Sequence, residues 1–262
     1  MISKVKKNQM ISLLVELGEE VEKIKQQDFD LKIEFKQDNS PLSKADLFLN
    51  KHICDFLRKT NVTNIISEED SVISYTKRKK WDYFWIIDPI DGTKEFINKG
   101  TDYTINIALC KGNLPILSYV YAPARNEMFH AEKGSSAFLN QKKISVSKIP
   151  NKELNIVASK SHLNDETIRF INLIKESYSI KLLNYGSSLK ICKVAEGAAD
   201  IYPRFGATME WDTCAAHLIL SEAGGEMITM NGSSLHYNKK HLTNPNFIAK
   251  GRNSKLFFHK SI

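Results

Sequence analysis

The segment Trp85-Ile-Ile-Asp88-Pro89-Ile90-Asp91-Gly92-Thr93-Lys94-Glu95-Phe96 constrains this chain more than any other part of it. An apolar, strand-like run leads straight into two carboxylates, Asp88 and Asp91. Pro89 fixes one backbone angle between them, and Gly92 permits a tight turn after them. Both carboxylates can therefore converge on one point at the strand end, where the Ile90 carbonyl can add a third oxygen. Hard divalent cations such as Mg²⁺ favour an all-oxygen surrounding of this kind. A helix beginning after the turn would aim the amides of Gly92 and Thr93 at the same point, ready for a phosphate oxygen. The plain alternative is a turn in which Asp and Gly are ordinary punctuation. Acidic residues on either side, at Glu68–Asp70 and at Asp212, weigh against it.

Charge and cysteine usage exclude several other classes. The chain has 262 residues, with 37 Lys and Arg against 30 Asp and Glu, a net charge of +7. That excess suits an anionic substrate or an acidic surface, or simply reflects a lysine-rich proteome. Its short clusters, 77–80, 142–143 and 239–240, are scattered, so neither a basic arm nor a nucleic-acid polymer as the main partner is expected. Cys54, Cys110, Cys192 and Cys214 form no CxxC pair and read as buried, reduced thiols. No window of about 18 uninterrupted apolar residues occurs, and the N-terminus lacks the long apolar stretch of a signal peptide. A cytoplasmic protein is expected.

Periodicity outlines two halves. Apolar residues from Ile11 to Ile24 recur at helical spacing, and a second helix is expected from Ser43, a candidate cap, to about Leu57. Runs at 64–67, 83–87, 104–109, 116–121, 127–131 and 137–139 read as an antiparallel meander. After a join near 144–152, strand and helix alternate: strands at 155–158 and 179–184, helices at 165–176, 186–196 and 211–222. Extended segments follow at 199–202, 226–229 and 247–249. The expected fold is an α+β half, residues 1–146, packed on an α/β half, residues 147–262. Together they would form a layered αβαβα sandwich with the active site between them.

Four motifs in fixed order give the chain a family resemblance. They are Lys36-Gln-Asp38-Asn-Ser40-Pro41-Leu-Ser43-Lys-Ala45-Asp46, then Ser67-Glu68-Glu69-Asp70, then the Asp88–Phe96 string. The last is Glu210-Trp211-Asp212-Thr213, which leads to Ala223-Gly224-Gly225. From about Leu13 to Ala249 the chain resembles the inositol monophosphatase superfamily of Mg²⁺-dependent, lithium-sensitive phosphatases. The resemblance implies that Glu68 ligates a first metal, that Asp88 bridges metals, and that the Ile90 carbonyl completes one shell. Asp91 and Asp212 would hold a second metal, with two or three Mg²⁺ ions in all. Gly92 and Thr93 would contact phosphate, while Asp46 and Thr93 would orient and deprotonate the attacking water. Glu69 and Asp70 would be structural. Physical chemistry accords with this, because cations shield an ester's negative charge and let several carboxylates share one pocket.

Within the superfamily the chain is most similar to the 3′(2′),5′-bisphosphate nucleotidase branch. Lys94-Glu95-Phe96 stands where inositol monophosphatases typically have Thr-Asn-Phe. Ser159-Lys160-Ser161-His162 resembles a nucleotide-contacting segment, and Gly186-Ser187-Ser188-Leu189-Lys190 a glycine-led helix start. Ser159, His162, Gly186 and Lys190 would thus meet the nucleotide, Lys190 at its non-reacting 5′-phosphate. Arg204 is a further phosphate or carboxylate partner. Ser43 for Thr, Lys160 for Arg, Ala207 for Pro and His217 for a small residue depart from the pattern. They bear on substrate preference, not on the metal ligands.

The implied reaction is hydrolysis of the 3′-phosphate of adenosine 3′,5′-bisphosphate, with the sulfated precursor as a second substrate. An inositol or sugar phosphatase is the rival within the superfamily, and a non-catalytic anion- or RNA-binding protein the rival outside it. The resemblance also admits a monomer or homodimer and a peripheral membrane contact through surface lysines.

Overall fold

Alternation along buried strands sets the architecture. In the computed structural model, which describes residues 2–26, 34–35, 41–148, 153–159 and 164–252, Trp85 and Ile87 face one core while Phe84 and Ile86 face another. A strand buried on both faces has to sit in a sheet with layers on either side.

The first layer is a pair of helices, α1 (Lys4–Gln26) and α2 (Lys44–Leu57). Met10, Leu14, Leu17 and Val21 of α1 join Leu49, Ile53 and Leu57 of α2 in one core against the sheet. Ser43 caps α2, accepting the Asp46 amide, while Asp46 Oδ2 accepts the Ser43 amide at 2.8 Å. This reciprocal capping box starts the helix where the sequence places it.

The second layer is a seven-stranded sheet in sequence order: β1 (Ile65–Ser67), β2 (Tyr83–Asp91), β3 (Thr104–Lys111), β4 (Leu114–Ala122), β5 (Glu127–Glu132), β6 (Ala137–Leu139) and β7 (Lys142–Ile144). The expected meander holds from β2 onward. The β1–β2 pair is parallel instead, so the chain must cross over between them. That crossover, 68–82, carries Glu68. Strand β2 runs beyond the expected 83–87 and includes both aspartates. A five-residue helix, α3 (Thr93–Ile97), follows it.

A five-stranded sheet forms the fourth layer, ordered β9-β8-β10-β12-β11 from β8 (Glu153–Ser159), β9 (Ser179–Tyr185), β10 (Ile201–Arg204), β11 (Gly225–Thr229) and β12 (Phe247–Gly251). Strand β8 is parallel to both neighbours, and the β12 pairs are antiparallel. Helices α5 (Leu189–Ala195) and α6 (Glu210–Glu222) lie between the sheets, and α4 (Asp165–Lys175) covers the far face. Val157, Leu189, Cys214, Leu218 and Phe247 share one core with Phe84, Val120 and Phe129, while Phe170, Ile171 and Ile174 seal the outer core. The result is five alternating αβαβα layers. Helix α5 starts later than the 186 expected, because residues 186–188 are held in a turn with Ser187 at a φ of 50°.

All four cysteines are buried and free. Cys110 and Cys214, distant in sequence, bring their Sγ atoms to 3.4 Å. Among the described residues no helix is long and apolar enough to cross a membrane.

Candidate active site

Three elements deliver carboxylates to one point. Glu68 leaves the end of β1, its amide donating to the Ile87 carbonyl of β2 at 3.3 Å. Asp88 sits inside β2, where a register shift between Asp88 and Asp91 breaks the ladder and re-aims side chains. Asp212 occupies the first turn of α6, with Oδ2 accepting the Met209 amide at 2.8 Å. One oxygen each from Glu68, Asp88 and Asp212 lies within 4.8 Å of the others. Asp91 stands beside this trio and accepts the Ser188 amide on Oδ2.

The electrostatics are unfavourable without a cation. Asp88 is 1% exposed, and among the described residues neither of its oxygens has a hydrogen-bond partner. Burial, then the charges of Glu68, Asp91 and Asp212, push its carboxyl well above the usual range. Burial and Asp91 do the same to Asp212, offset in part by the Met209 amide. Asp91 is pushed up to about 6 by burial, against the pull of Lys190 and the Ser188 amide. A buried carboxylate with two orphaned oxygens, facing only further oxygen donors, is a fit for a hard divalent cation.

Asp46 and Thr93 flank this centre. Asp46 is buried, and its charge adds to the repulsion on Asp88. Its Oδ2 also accepts the Ser43 hydroxyl at 2.6 Å, so the capping box leaves it rigidly held. Thr93 Oγ1 donates to the Ile90 carbonyl at 3.1 Å. Gly92 has a φ of 92°, in the left-handed region, and a Cβ there would sit 3.0 Å from the Asp102 carbonyl. The turn after Asp91 therefore demands glycine.

A cleft of about 260 Å³ opens over the centre, lined by Glu68, Asp91 to Glu95 and Asp212 together with Ser187, Ser188, Lys190, Tyr202, Arg204, Thr208 and Phe247. Residues before and after 146 thus both contribute. Lys190 is no solvated helix residue: it is 7% exposed, and burial pulls its ammonium down to about 8 against Asp91 and Glu95. Its Nζ lies 5.6 Å from the Tyr202 ring centre.

The structure brings Glu68, Asp88, Asp91, Gly92, Thr93, Lys190 and Asp212 together, with the Ile90 carbonyl at the same turn. Gly186 is adjacent but does not line the cleft. Its amide donates to Asp102 Oδ2 at 3.0 Å, and a Cβ would lie 2.7 Å from the Asp102 carbonyl, so close packing explains this glycine. Ser159 is described only as the last residue of β8, and Lys160, Ser161 and His162 lie outside the described residues, as does Lys36–Ser40. Asp70 accepts Asn50 Nδ2 at 2.9 Å, away from the centre. Sequence reasoning gave no role to the Ser188 amide, Tyr202, Thr208 or Phe247. Backbone donors and wall residues carry no composition signal, and only the glycine-led string pointed at the first.

A match to the inositol monophosphatase family spans residues 6–260. The chain belongs to that family. Dependence on metal ions is general in the inositol monophosphatase family. The 3′(2′),5′-bisphosphate nucleotidase CysQ of Salmonella typhimurium is 37% identical over 219 residues, covering 81% of this chain and 86% of its own. The protein of the same name from Haemophilus influenzae is 32% identical over 256 residues, with 94% and 93% covered. Among solved structures, CysQ of Bacteroides thetaiotaomicron, a bacterial inositol monophosphatase family member, superposes with a TM-score of 0.82. It shares 36% identity and covers 95% of this chain and 98% of its own.

Proposed function

We propose that this chain is a Mg²⁺-dependent phosphatase that removes the 3′-phosphate of adenosine 3′,5′-bisphosphate, giving AMP and inorganic phosphate. The sulfated 3′-phosphoadenosine compound is proposed as a second substrate. The observation that carries the metal reading is Asp88, which has two orphaned oxygens and brings one of them within 4.8 Å of a carboxylate oxygen of Glu68 and of Asp212. Glu68, Asp88, Asp91, Asp212 and the Ile90 carbonyl would hold the ions. Bound there, they would shield the ester's charge, lower the pKa of a water and stabilise the leaving oxygen.

The chain's own groups supply orientation. Asp46 and Thr93 are proposed to align the attacking water and take up its proton. The water oxygen bonds to phosphorus as the bond to the 3′-oxygen breaks, and the departing alkoxide gains a proton. Gly92, at the wall of the cleft, lets the backbone approach the phosphate closely. Lys190 and Arg204, which line the same cleft, suit a second anionic group that does not react. That pair of cations favours a bisphosphate over a monophosphate, and the names of the relatives at 32–38% identity favour a nucleotide.

Phosphate release from a panel of adenosine 3′,5′-bisphosphate, its sulfated derivative, 3′-AMP and inositol 1-phosphate, with Mg²⁺ or EDTA, tests the reading. The bisphosphate should turn over fastest, only with metal, and Li⁺ should inhibit. Faster release from inositol 1-phosphate would reassign the substrate, and undiminished release in EDTA would remove the metal mechanism.

A further inference from the structure

Glu210, two residues before Asp212, is 0% exposed. A buried carboxylate is tolerable only when it is paired and hydrogen-bonded. Glu210 meets that condition through a single loop. Oε1 accepts the Lys239 amide at 2.9 Å and the Lys239 ammonium at 2.7 Å, and Oε2 accepts the Asn238 amide at 2.5 Å. Its own amide donates to the Leu242 carbonyl at 2.8 Å.

The contacts continue in two directions. Toward α6, Lys239 Nζ also donates to Asn244 Oδ1 at 3.1 Å. Asn244 Nδ2 in turn donates to the Met209 carbonyl at 2.7 Å and to Thr213 Oγ1 at 3.0 Å. Met209 and Thr213 flank the first turn that presents Asp212. Toward the crossover, Asn238 Nδ2 donates to the Arg78 carbonyl at 2.9 Å, and the Arg78 guanidinium donates to Asn238 Oδ1 and the Lys239 carbonyl. Arg78 is 1% exposed and belongs to the crossover that begins at Glu68.

We infer that Glu210 is a positioning residue for the metal centre. Through Asn238, Lys239 and Asn244 it fixes the first turn of α6 against the Glu68 crossover, and so sets Asp212 relative to Glu68 and Asp88. This rests on the reading that those carboxylates hold divalent cations. Sequence motifs place Glu210 beside Asp212 but give it no role. Were Glu210 only filling space, apolar packing would serve as well. Instead its contacts end on groups that bracket Asp212.

The test is Mn²⁺ binding to the metal-free, full-length protein without substrate, read from the electron paramagnetic resonance signal of free Mn²⁺. Wild type, Asp212→Asn, Glu210→Gln and Lys239→Met are compared, alongside the Mg²⁺ concentration giving half-maximal activity and thermal unfolding in EDTA. Gln puts an NH₂ against donors, and Met removes the ammonium while keeping both backbone amides. Glu210→Gln and Lys239→Met should each weaken Mn²⁺ binding roughly tenfold or more and raise the half-activating Mg²⁺ in parallel, with kcat at saturating Mg²⁺ falling much less. A purely structural role would lower the melting temperature and leave Mn²⁺ affinity within about twofold of wild type, and that result overturns the inference. If Glu210→Gln does not fold, Lys239→Met decides. Wild-type Mn²⁺ binding that Asp212→Asn leaves unchanged would remove the metal site itself, and the positioning role with it.

Discussion

The backbone amide of Ser188 donates to Asp91 Oδ2 at 2.5 Å, tying the turn before α5 to the end of β2. Around it, Ser188 Oγ donates to Asn106 Oδ1 at 2.8 Å, and Thr104 Oγ1 lies within hydrogen-bonding distance of both Ser187 and Ser188. Asp91 is therefore oriented by a turn 97 residues further along the chain. Its distance from the Glu68, Asp88 and Asp212 trio is set by how the 186–188 turn packs.

That turn has no spare room, so Gly186→Ala should be felt at Asp91. The new Cβ would press on the Asp102 carbonyl at 2.7 Å and on Asp102 Cβ at 2.8 Å, neither of them the far end of a flexible side chain. Relief requires the turn to move, which lengthens the Ser188–Asp91 bond. Overpacking of this kind costs about 1–3 kcal/mol. A lower melting temperature in EDTA and a higher Mg²⁺ requirement should appear together. Wild-type values for both would mean the turn absorbs the methyl without moving Asp91.

Asp88→Asn separates the carboxylate's chemistry from its packing. The swap keeps the shape, removes one of several repelling charges, and replaces one of the two oxygens that no protein donor claims. Loss of a cation's stabilisation, several kcal/mol, corresponds to activity about 10²- to 10³-fold lower or worse. The melting temperature in EDTA should not fall, since relief of repulsion offsets the buried amide. Steady-state phosphate release and calorimetry check the two halves, and a fully active variant contradicts the role given to Asp88.

Much of this site was legible because its carboxylates sit in short strings with chemical character. The Asp88-Pro-Ile-Asp91-Gly92 string permits a tight turn, and Ser43 ahead of a helical run offers a cap. Helices α1 and α2 follow from three- and four-residue spacing. The parallel β1–β2 pair was not legible, because a short apolar run such as 64–67 carries no sign of direction. Nor was the 3.4 Å approach of Cys110 and Cys214, which depends on α6 packing across the sheet. The Ser188 amide and the Glu210 contacts run through backbone groups, and every residue type has those. Lys190 was legible only by resemblance, since helical spacing does not distinguish a buried lysine from a solvated one.

Lys190→Met should split substrates by their charge. Lys190 is 7% exposed and lines the cleft, where it is proposed to meet the phosphate that does not react. Removing one partner of a buried, hydrogen-bonded charge pair costs about 2–5 kcal/mol of binding, or some 30-fold and upward in affinity. kcat/KM should fall by that order for adenosine 3′,5′-bisphosphate, mainly through KM, and change little for 3′-AMP. The same variant should be less stable than wild type without metal at neutral pH, because Lys190 also offsets the buried charge of Asp91. Equal losses for the two nucleotides would place Lys190 on the reacting phosphate instead.

The metal-free protein should lose stability as pH rises through the range in which most proteins gain it. In the folded chain burial holds the Asp91 carboxyl at about 6, against an ordinary 3.8. Between those values the folded protein keeps a proton that the unfolded chain has released, so raising the pH favours unfolding. The penalty is absent below about 4, grows through about 6 and is complete above it, reaching about 3 kcal/mol for this one group. Asp88 and Asp212, also raised, carry the trend to higher pH. Divalent cations take the place of those protons, so Mg²⁺ should raise the melting temperature strongly at pH 7.5 and progressively less toward pH 5. Thermal scans across that range with EDTA or Mg²⁺ measure the difference. A Mg²⁺ increment that stays constant with pH would mean the carboxylates are already ionised without metal, and the electrostatic basis of the site would fail.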